Sequence, residues 1–386
     1  MPGKMIYLDY AASTPVDSRV LDRMREVAEL NCANPSSTHA AGREAQAIIA
    51  EAAAQLAELL NVSPGSLIWT SGATESDNLA IAGGARHRTH RGKHLVTMKT
   101  EHKAVTDVFE ALAKQGFDVT WVDAGADGLL CPDSFAAALR DDTQFASIMY
   151  VNNETGVIQD IEALGTICRE RDVLFHVDAA QAVGKLPIDL GNLPVDLLSL
   201  TGHKFYGPKG IGALYIADRA GCHVEPILYG GGQQRSIRPG TLPTDLIAGL
   251  GMAAAVAATR IEPDLAHLRA LRQLLWEGIR CVDGIRLNGD PGGFPGILNV
   301  SVEDIDGESL LLALEPLLVA TGSACNSKTG EPSYVLRALG LGDDQAQSAI
   351  RFSLGRPTTR DEVEFAAARY RDAVAHLRKL APDRAA

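Results

Sequence analysis

Lys204 closes an apolar run, "DLLSLTGHK", and is followed by the glycine-rich turn "FYGPKG". An amine placed there is withdrawn from water and can act as a nucleophile or base. Asp178 stands in the run Phe175 to Val183, whose apolar character predicts burial, and a buried carboxylate needs a cation or good hydrogen-bond donors. His102, in "TEHKAV", adds an aromatic plate. In "TSGATES", Gly72, Ala73 and Thr74 open a helix whose free N–H groups can hold a phosphate. Glu75 and Asp77 in the same turn would repel that anion unless they point away. Cys325, in "ATGSACNSKTG", sits among small residues directly after the apolar "SLLLALEPLLV", which predicts an accessible thiol on a loop.

These residues stand at the ends of a regular series of elements. From about residue 60 to residue 217, short β-branched or apolar runs alternate with helix-period stretches: "SLIWTSG", "HLVTMKT", "DVTWVDA", "FASIMYVNN", "LFHVDAAQ", "DLLSLTGHK" and "GIGALYIA". The alternation predicts an α/β sheet with helices on both faces. In such sheets ligands bind beyond the carboxyl ends of the strands. His102, Asn152, Asn153, Asp178, Gln181, His203 and Lys204 all fall there. After an apolar helix over 246–258 the rhythm changes to a helix near 264–282, a strand "GILNVSVED", a helix "GESLLLALEP", a strand "AIRFSLG" and a closing helix. The closing helix opens on a capping box, Thr359 and Glu362, and carries Val363, Ala366, Tyr370, Val374 and Leu377 on one face. The division predicts a large α/β domain over 16–260. Residues 1–15 and 261–386 would form a smaller α+β domain carrying the cysteine loop.

A phosphate cup, an aromatic plate, a buried carboxylate and a buried lysine are together what pyridoxal 5′-phosphate requires. The lysine forms a Schiff base, and the carboxylate keeps the pyridine nitrogen protonated so that the ring accepts electrons. A nicotinamide cofactor is the rival. Against it, no GxGxxG follows the first strand, and "YGPKGIG" lacks the spacing of a nucleotide P-loop.

Composition narrows the partners. With 36 Lys and Arg against 48 Asp and Glu, the net charge of −12 argues against broad binding to nucleic-acid backbones. The six cysteines include no C-x-x-C pair, so no metal site of that kind is expected, and reduced thiols in a cytoplasmic protein are. The N-terminal "MPGKMIYLDY" shows no secretory signal, and the longest uncharged apolar run, Leu246 to Ala258, is too short for a membrane helix.

With these residues in view, the chain strongly resembles the cysteine desulfurases of the NifS/IscS type, members of the class V aminotransferase group. The resemblance runs from "YLDYAASTPVD" to the final helix through "ANPSSTH", "TSGATESDNLAI", "TEHKAV", "VNNETGVIQDI", "HVDAAQAVGKLPIDL", "GHKFYGPKGIGALY", "GGGQQRS", "GTLP", "GSAC" and "EPSYVLRALGL". It implies the aspartate-aminotransferase-like fold of pyridoxal phosphate enzymes and a homodimer. Lys204 would be the Schiff-base lysine, Asp178 the partner of the pyridinium, His102 the ring-stacking residue and Gln181 a partner of the ring oxygen. Ala73, Thr74, Thr201 and His203 would hold the phosphate end, joined by Thr241 from a second subunit. Asn153 would face cofactor and substrate, and Arg351 would clamp the substrate carboxylate with its planar fork. Cys325 would be the nucleophile, on the loop of the long-loop subgroup. Thr201 stands where serine is common, Gln233 and Gln234 where a His-Glu pair is more usual, and "CNSKTG" where "CTSAS" is.

What the resemblance implies is conversion of L-cysteine to L-alanine with a persulfide left on Cys325. The sulfur would supply iron–sulfur clusters or thiolation of RNA or DNA through an acceptor protein. The sequence closes on "LRKLAPDRAA" soon after the final helix, so the acceptor is expected at the Cys325 loop, where Lys328 gives a mildly basic tip, and not on an extended tail. A selenocysteine lyase, an aminotransferase and a catalytically silent sulfur carrier of the same fold are the competing readings.

Overall fold

The computed structural model describes residues 5–321 and 331–380. All seven expected strands form one sheet, which reads across as Leu67–Thr70, Gly212–Ile216, Leu197–Thr201, Leu174–Asp178, Thr143–Met149, His94–Met98 and Asp118–Val122. Every neighbouring pair is parallel except the two made by Gly212–Ile216, which runs against both of its neighbours. The central strands are buried along their whole length, as strands covered on both faces must be. Parallel pairing sends Met98, Met149, Asp178 and Thr201 to the same edge of the sheet, and the helix or turn that follows each strand begins at that edge. The helix Ala73–His87 lies against this sheet through Leu79, Ala80, Ile81 and Ala85. A Cβ at Gly84 would stand 2.7 Å from the Phe145 ring, so the close approach of helix to strand depends on glycine there.

A second sheet of four antiparallel strands runs Ala320–Thr321, Ile350–Ser353, Ile297–Val302, Ile285–Leu287. Arg351 sits on its second strand, opposite Asn299 on one side and Ala320 on the other. Ile6–Tyr7 pairs in parallel with Leu317–Leu318, which ties the start of the described chain to this half of the molecule. The closing helix begins as its capping box requires: Thr359 N donates to Glu362 Oε2 at 3.0 Å, and Glu362 N to Thr359 Oγ1 at 3.3 Å. Its expected face is buried at Val363, Ala366, Tyr370 and Val374.

One expectation is corrected. The stretches 246–258 and 264–282 are not two helices but parts of one, Thr244–Ile279, which continues through Pro263 and contains the position expected to divide the domains. Composition hid this because a proline and a cluster of charges interrupt the apolar pattern, whereas packing against Ser18–Leu30, Ala40–Leu60 and the closing helix holds the helix continuous. Among the described residues it is the single helix long and apolar enough to cross a membrane, and 61% of its most apolar window is buried inside the protein.

Candidate active site

A cavity of about 540 Å³ opens at the carboxyl edge of the large sheet. Ala73, Thr74, His102, Asn153, Asp178, Gln181, Thr201, His203 and Lys204 border it from the side of the large sheet, and Arg351 from the small sheet. Of the expected site residues, Thr241 is exposed and does not border the cavity of its own chain, and Cys325 lies outside the described residues, as does Lys328. The strand Ala320–Thr321 leads directly into that segment.

The end of the cavity expected to take a phosphate is built by Gly72. Its φ of 153° and ψ of −179° belong to a region open essentially to glycine, and it serves as the N-cap of Ala73–His87 with no side chain closing the helix end. The acids of that first turn do not oppose an anion. Glu75 borders the cavity but is neutralised: Arg238 donates to both of its oxygens, at 2.7 and 3.2 Å, and Ser71 N donates to Oε2 at 2.7 Å. Against the upward push of burial, Arg238 and Ser71 hold its carboxyl below the usual range. Asp77 is fully buried with no hydrogen-bond partner on either oxygen among the described residues. Burial, then the nearby Asp178, drive its proton affinity well up, against Ser199, which favours its charged form.

Asp178 is 6% exposed and accepts from Ala180 N at 2.9 Å through Oδ1. Burial raises its proton affinity, and His102 and Lys204 draw it back. It forms no ion pair among the described residues, which leaves a buried carboxylate bordering the cavity and suited to a cationic ring nitrogen. Beneath it His176 bridges Ser147 and Ser199 at 2.8 and 2.9 Å, and burial lowers its pKa to about 3, so the ring is neutral.

His102 caps Lys103–Lys114, its Nδ1 accepting from Ala104 N at 3.1 Å. That bond fixes the tautomer: Nδ1 is the acceptor and Nε2 carries the proton. Burial lowers its pKa below the ordinary histidine value, Asp178 opposing and Lys204 reinforcing the shift. Lys204, in a 3₁₀ turn after Leu197–Thr201, donates to the carbonyls of Ala11 and Ala12 at 2.6 and 2.9 Å. Arg351 is 2% exposed, and its Nη1 donates to Asn153 O at 2.8 Å.

Two acids at the site were not legible in the sequence. Glu101 and Glu154 are buried within the motifs "TEHKAV" and "VNNETG", where more distinctive neighbours stand beside them. Burial raises Glu154 to about 7, with Ser333 at 2.5 Å and Arg351 opposing. Gln234 braces the scaffold. Its side-chain amide pairs with Trp69 N and O at 2.6 and 2.9 Å, completing the edge strand Leu67–Thr70 as a neighbouring strand would.

Residues 6–365 match the family Aminotransferase class-V. The chain belongs to that family. It is 50% identical over 381 residues to "Cysteine desulfurase IscS" of Enterobacter sp. (strain 638), covering 98% of this chain and 94% of the relative. The solved "NIFS-LIKE PROTEIN" superposes with a TM-score of 0.90 at 34% identity, covering 97% of this chain and all of the other. "SspA in complex with cysteine" gives 0.82 at 38% identity, over 92% of this chain and all of that one. The family cofactor is pyridoxal 5′-phosphate, and the cavity fits it by the helix end with no side-chain cap, the buried Asp178 carboxylate and the half-buried Lys204 amine.

Proposed function

We infer that the protein is a pyridoxal phosphate-dependent cysteine desulfurase that converts L-cysteine to L-alanine and passes the sulfur to Cys325. The observation that carries this reading is the meeting of Lys204, Asp178 and Arg351 around one cavity, although they come from three separate parts of the chain. An amine, a buried anion and a carboxylate-binding cation at one place suit a cofactor and an amino-acid substrate together. The relatives named above support cysteine as that amino acid.

When bound, the cofactor supplies an electron sink that stabilises negative charge at the substrate Cα. Ala73, Thr74, Thr201 and His203 are the groups to hold its phosphate, Asp178 its ring nitrogen, His102 its ring face and Gln181 its ring oxygen. Arg351 binds the substrate carboxylate and so orients the Cα–H bond toward Lys204. Lys204 Nζ takes the Cα proton. His102 Nε2–H, the ring donor left over by the Ala104 bond, is the group to donate to the substrate sulfur, whose own proton stays with it in the persulfide. The Cys325 thiolate attacks the substrate sulfur: the S–S bond forms, the C–S bond breaks, and the electron pair stays on carbon, which takes up protons to become alanine. No external oxidant is needed, because the persulfide and alanine together balance cysteine and the thiol.

Thr241, exposed on its own chain, is assigned to the cavity of a second copy in a homodimer. An acceptor protein then takes the persulfide sulfur, and iron–sulfur assembly is the favoured destination. The test is Cys325→Ala with labelled cysteine. The variant should bind cysteine and change the cofactor spectrum yet release neither alanine nor persulfide sulfur. Retention of more than about a tenth of the wild-type alanine formation would remove Cys325 as the sulfur acceptor.

A further inference from the structure

Lys185 lies four residues beyond Gln181 and has no part in the roles above. Its Nζ donates to Gln181 Oε1 at 2.7 Å and stands 5.6 Å from the centroid of the Phe294 ring. Gln181 Nε2 donates to Ala11 O at 2.8 Å, and the same carbonyl accepts from Lys204 Nζ. The two ends of a glutamine amide have nearly the same shape, so partners decide which way it faces. An ammonium donates and cannot accept, whereas a carbonyl accepts and cannot donate. Lys185 on one side and Ala11 on the other therefore demand the same orientation. The amide nitrogen keeps a second hydrogen beyond the one given to Ala11, and Gln181 borders the cavity.

We propose that Lys185 is a positioning residue for the cofactor: by fixing the Gln181 amide it keeps an N–H available to the oxygen on the pyridine ring. The proposal rests on the reading of this cavity as a pyridoxal phosphate site anchored at Lys204. Burial, then the Lys204 and Arg351 cations, press the proton affinity of Lys185 well below the usual lysine range. His203 also feels its charge. Tyr10, Tyr206, Asp264 and Arg356 share the small recess beside it, where Asp264 is committed to Arg356 at 2.7 Å. The lock is therefore firmest on the acid side and weakens as pH rises through the lowered value of Lys185.

An N–H on the ring oxygen stabilises it as an anion and so lowers the proton affinity of the neighbouring linkage between Lys204 and the cofactor. The Lys185 charge acts in the same direction. Removing either raises that affinity, which the visible absorption reports without any substrate.

The experiment compares wild type, Lys185→Met, Lys185→Arg, Gln181→Leu and the Lys185→Met/Gln181→Leu double variant, all loaded with pyridoxal 5′-phosphate and free of cysteine. Absorption is followed against pH, cofactor dissociation by equilibrium dialysis, and folding by circular dichroism. Lys185→Met should move the spectral midpoint up by about one pH unit and weaken cofactor binding by about tenfold. Lys185→Arg, again a donor-only cation, should return the midpoint toward wild type. The double variant should shift by less than the sum of the two single ones, because part of the Lys185 effect passes through the Gln181 hydrogen bond. An unchanged midpoint in folded Lys185→Met, or additive shifts in the double variant, overturns the proposal. If Lys185→Met does not fold, Lys185→Gln keeps a donor but offers an acceptor as well. An intermediate shift there supports the lock, and no shift overturns it. Borohydride trapping of wild type on a residue other than Lys204 would instead overturn the cofactor assignment, and this proposal with it.

Discussion

Arg351 already holds a carboxylate: its Nη2 lies 2.8 Å from Asp9 Oδ1. The guanidinium is 3% exposed, Nη1 is committed to Asn153 O, and Nε is buried without a partner among the described residues. A substrate carboxylate entering the cavity must therefore share this cation with Asp9. Asp9 keeps the arginine from standing as an uncompensated buried charge while the site is empty, and competes with the substrate when it fills.

The two residues are thus expected to move substrate binding in opposite directions. Arg351→Ala should raise KM for cysteine by about tenfold or more, since a charge-assisted clamp is lost. Asp9→Asn keeps the acceptor but removes the competing charge, and should lower KM by about twofold to tenfold with little change in kcat. Steady-state alanine formation checks both. A raised KM in Asp9→Asn would mean that aligning the arginine outweighs competing for it.

Asp178→Asn removes the buried anion and leaves its shape. Activity should fall by about 10² or more, because a neutral amide does not hold the ring nitrogen protonated. Cofactor binding should suffer far less, as the proposed phosphate contacts lie on other residues. Alanine formation and cofactor occupancy measured on the same sample separate the two effects. Full occupancy with full activity would remove Asp178 from its assigned role.

Glu154 supplies a pH-dependent stability. Its folded value, about 7, lies above the ordinary 4.5. Its contribution is therefore fully present below about pH 4.5 and is lost as pH rises through about 7, when a nearly inaccessible carboxylate must ionise. The integrated change is up to about 3 kcal/mol, at ~1.4 kcal/mol for each pH unit between the two values. Glu154→Gln has no charge to develop, so its stability relative to wild type should rise between pH 5 and pH 8. Denaturant melts at the two pH values test this, and a difference that stays constant with pH would contradict it.

The strands and the site edge were legible in the sequence because central parallel strands are apolar on both faces, and the polar residues that end them stand out. Asp178 and Lys204 were visible for that reason. The 36-residue helix was not, since Pro263 and the charges around it look like a boundary until neighbouring helices hold them in line. Gln181 was visible as a strand-end residue, but nothing in the sequence marked its partner Lys185: only the fold brings the Phe294 ring and the Gln181 carbonyl to it. Asp9 and Arg351, 342 positions apart, could be paired by tertiary structure alone.

Gln234 links the outer loop to the helix end that borders the cavity. Its amide bonds Trp69 N and O and also Arg238 O, at 3.2 Å, while Arg238 neutralises Glu75 beside the open helix end. Gln234, Arg235 and Ser236 all have positive φ, 47°, 59° and 60°. A left-handed run of non-glycine residues costs about 1 kcal/mol or more at each position, so it persists only where bonds of this kind hold it. Gln234→Ala should release the turn and leave Trp69 to water, lowering stability by about 1–3 kcal/mol. With Arg238 freed, Glu75 is no longer neutralised beside the phosphate position, and cofactor affinity should fall, most at low ionic strength where the repulsion is least screened. Thermal melts and cofactor dialysis at two salt concentrations provide the check. A variant that loses stability but binds the cofactor as wild type does, at both salts, would show that the loop braces the edge strand without serving the phosphate end.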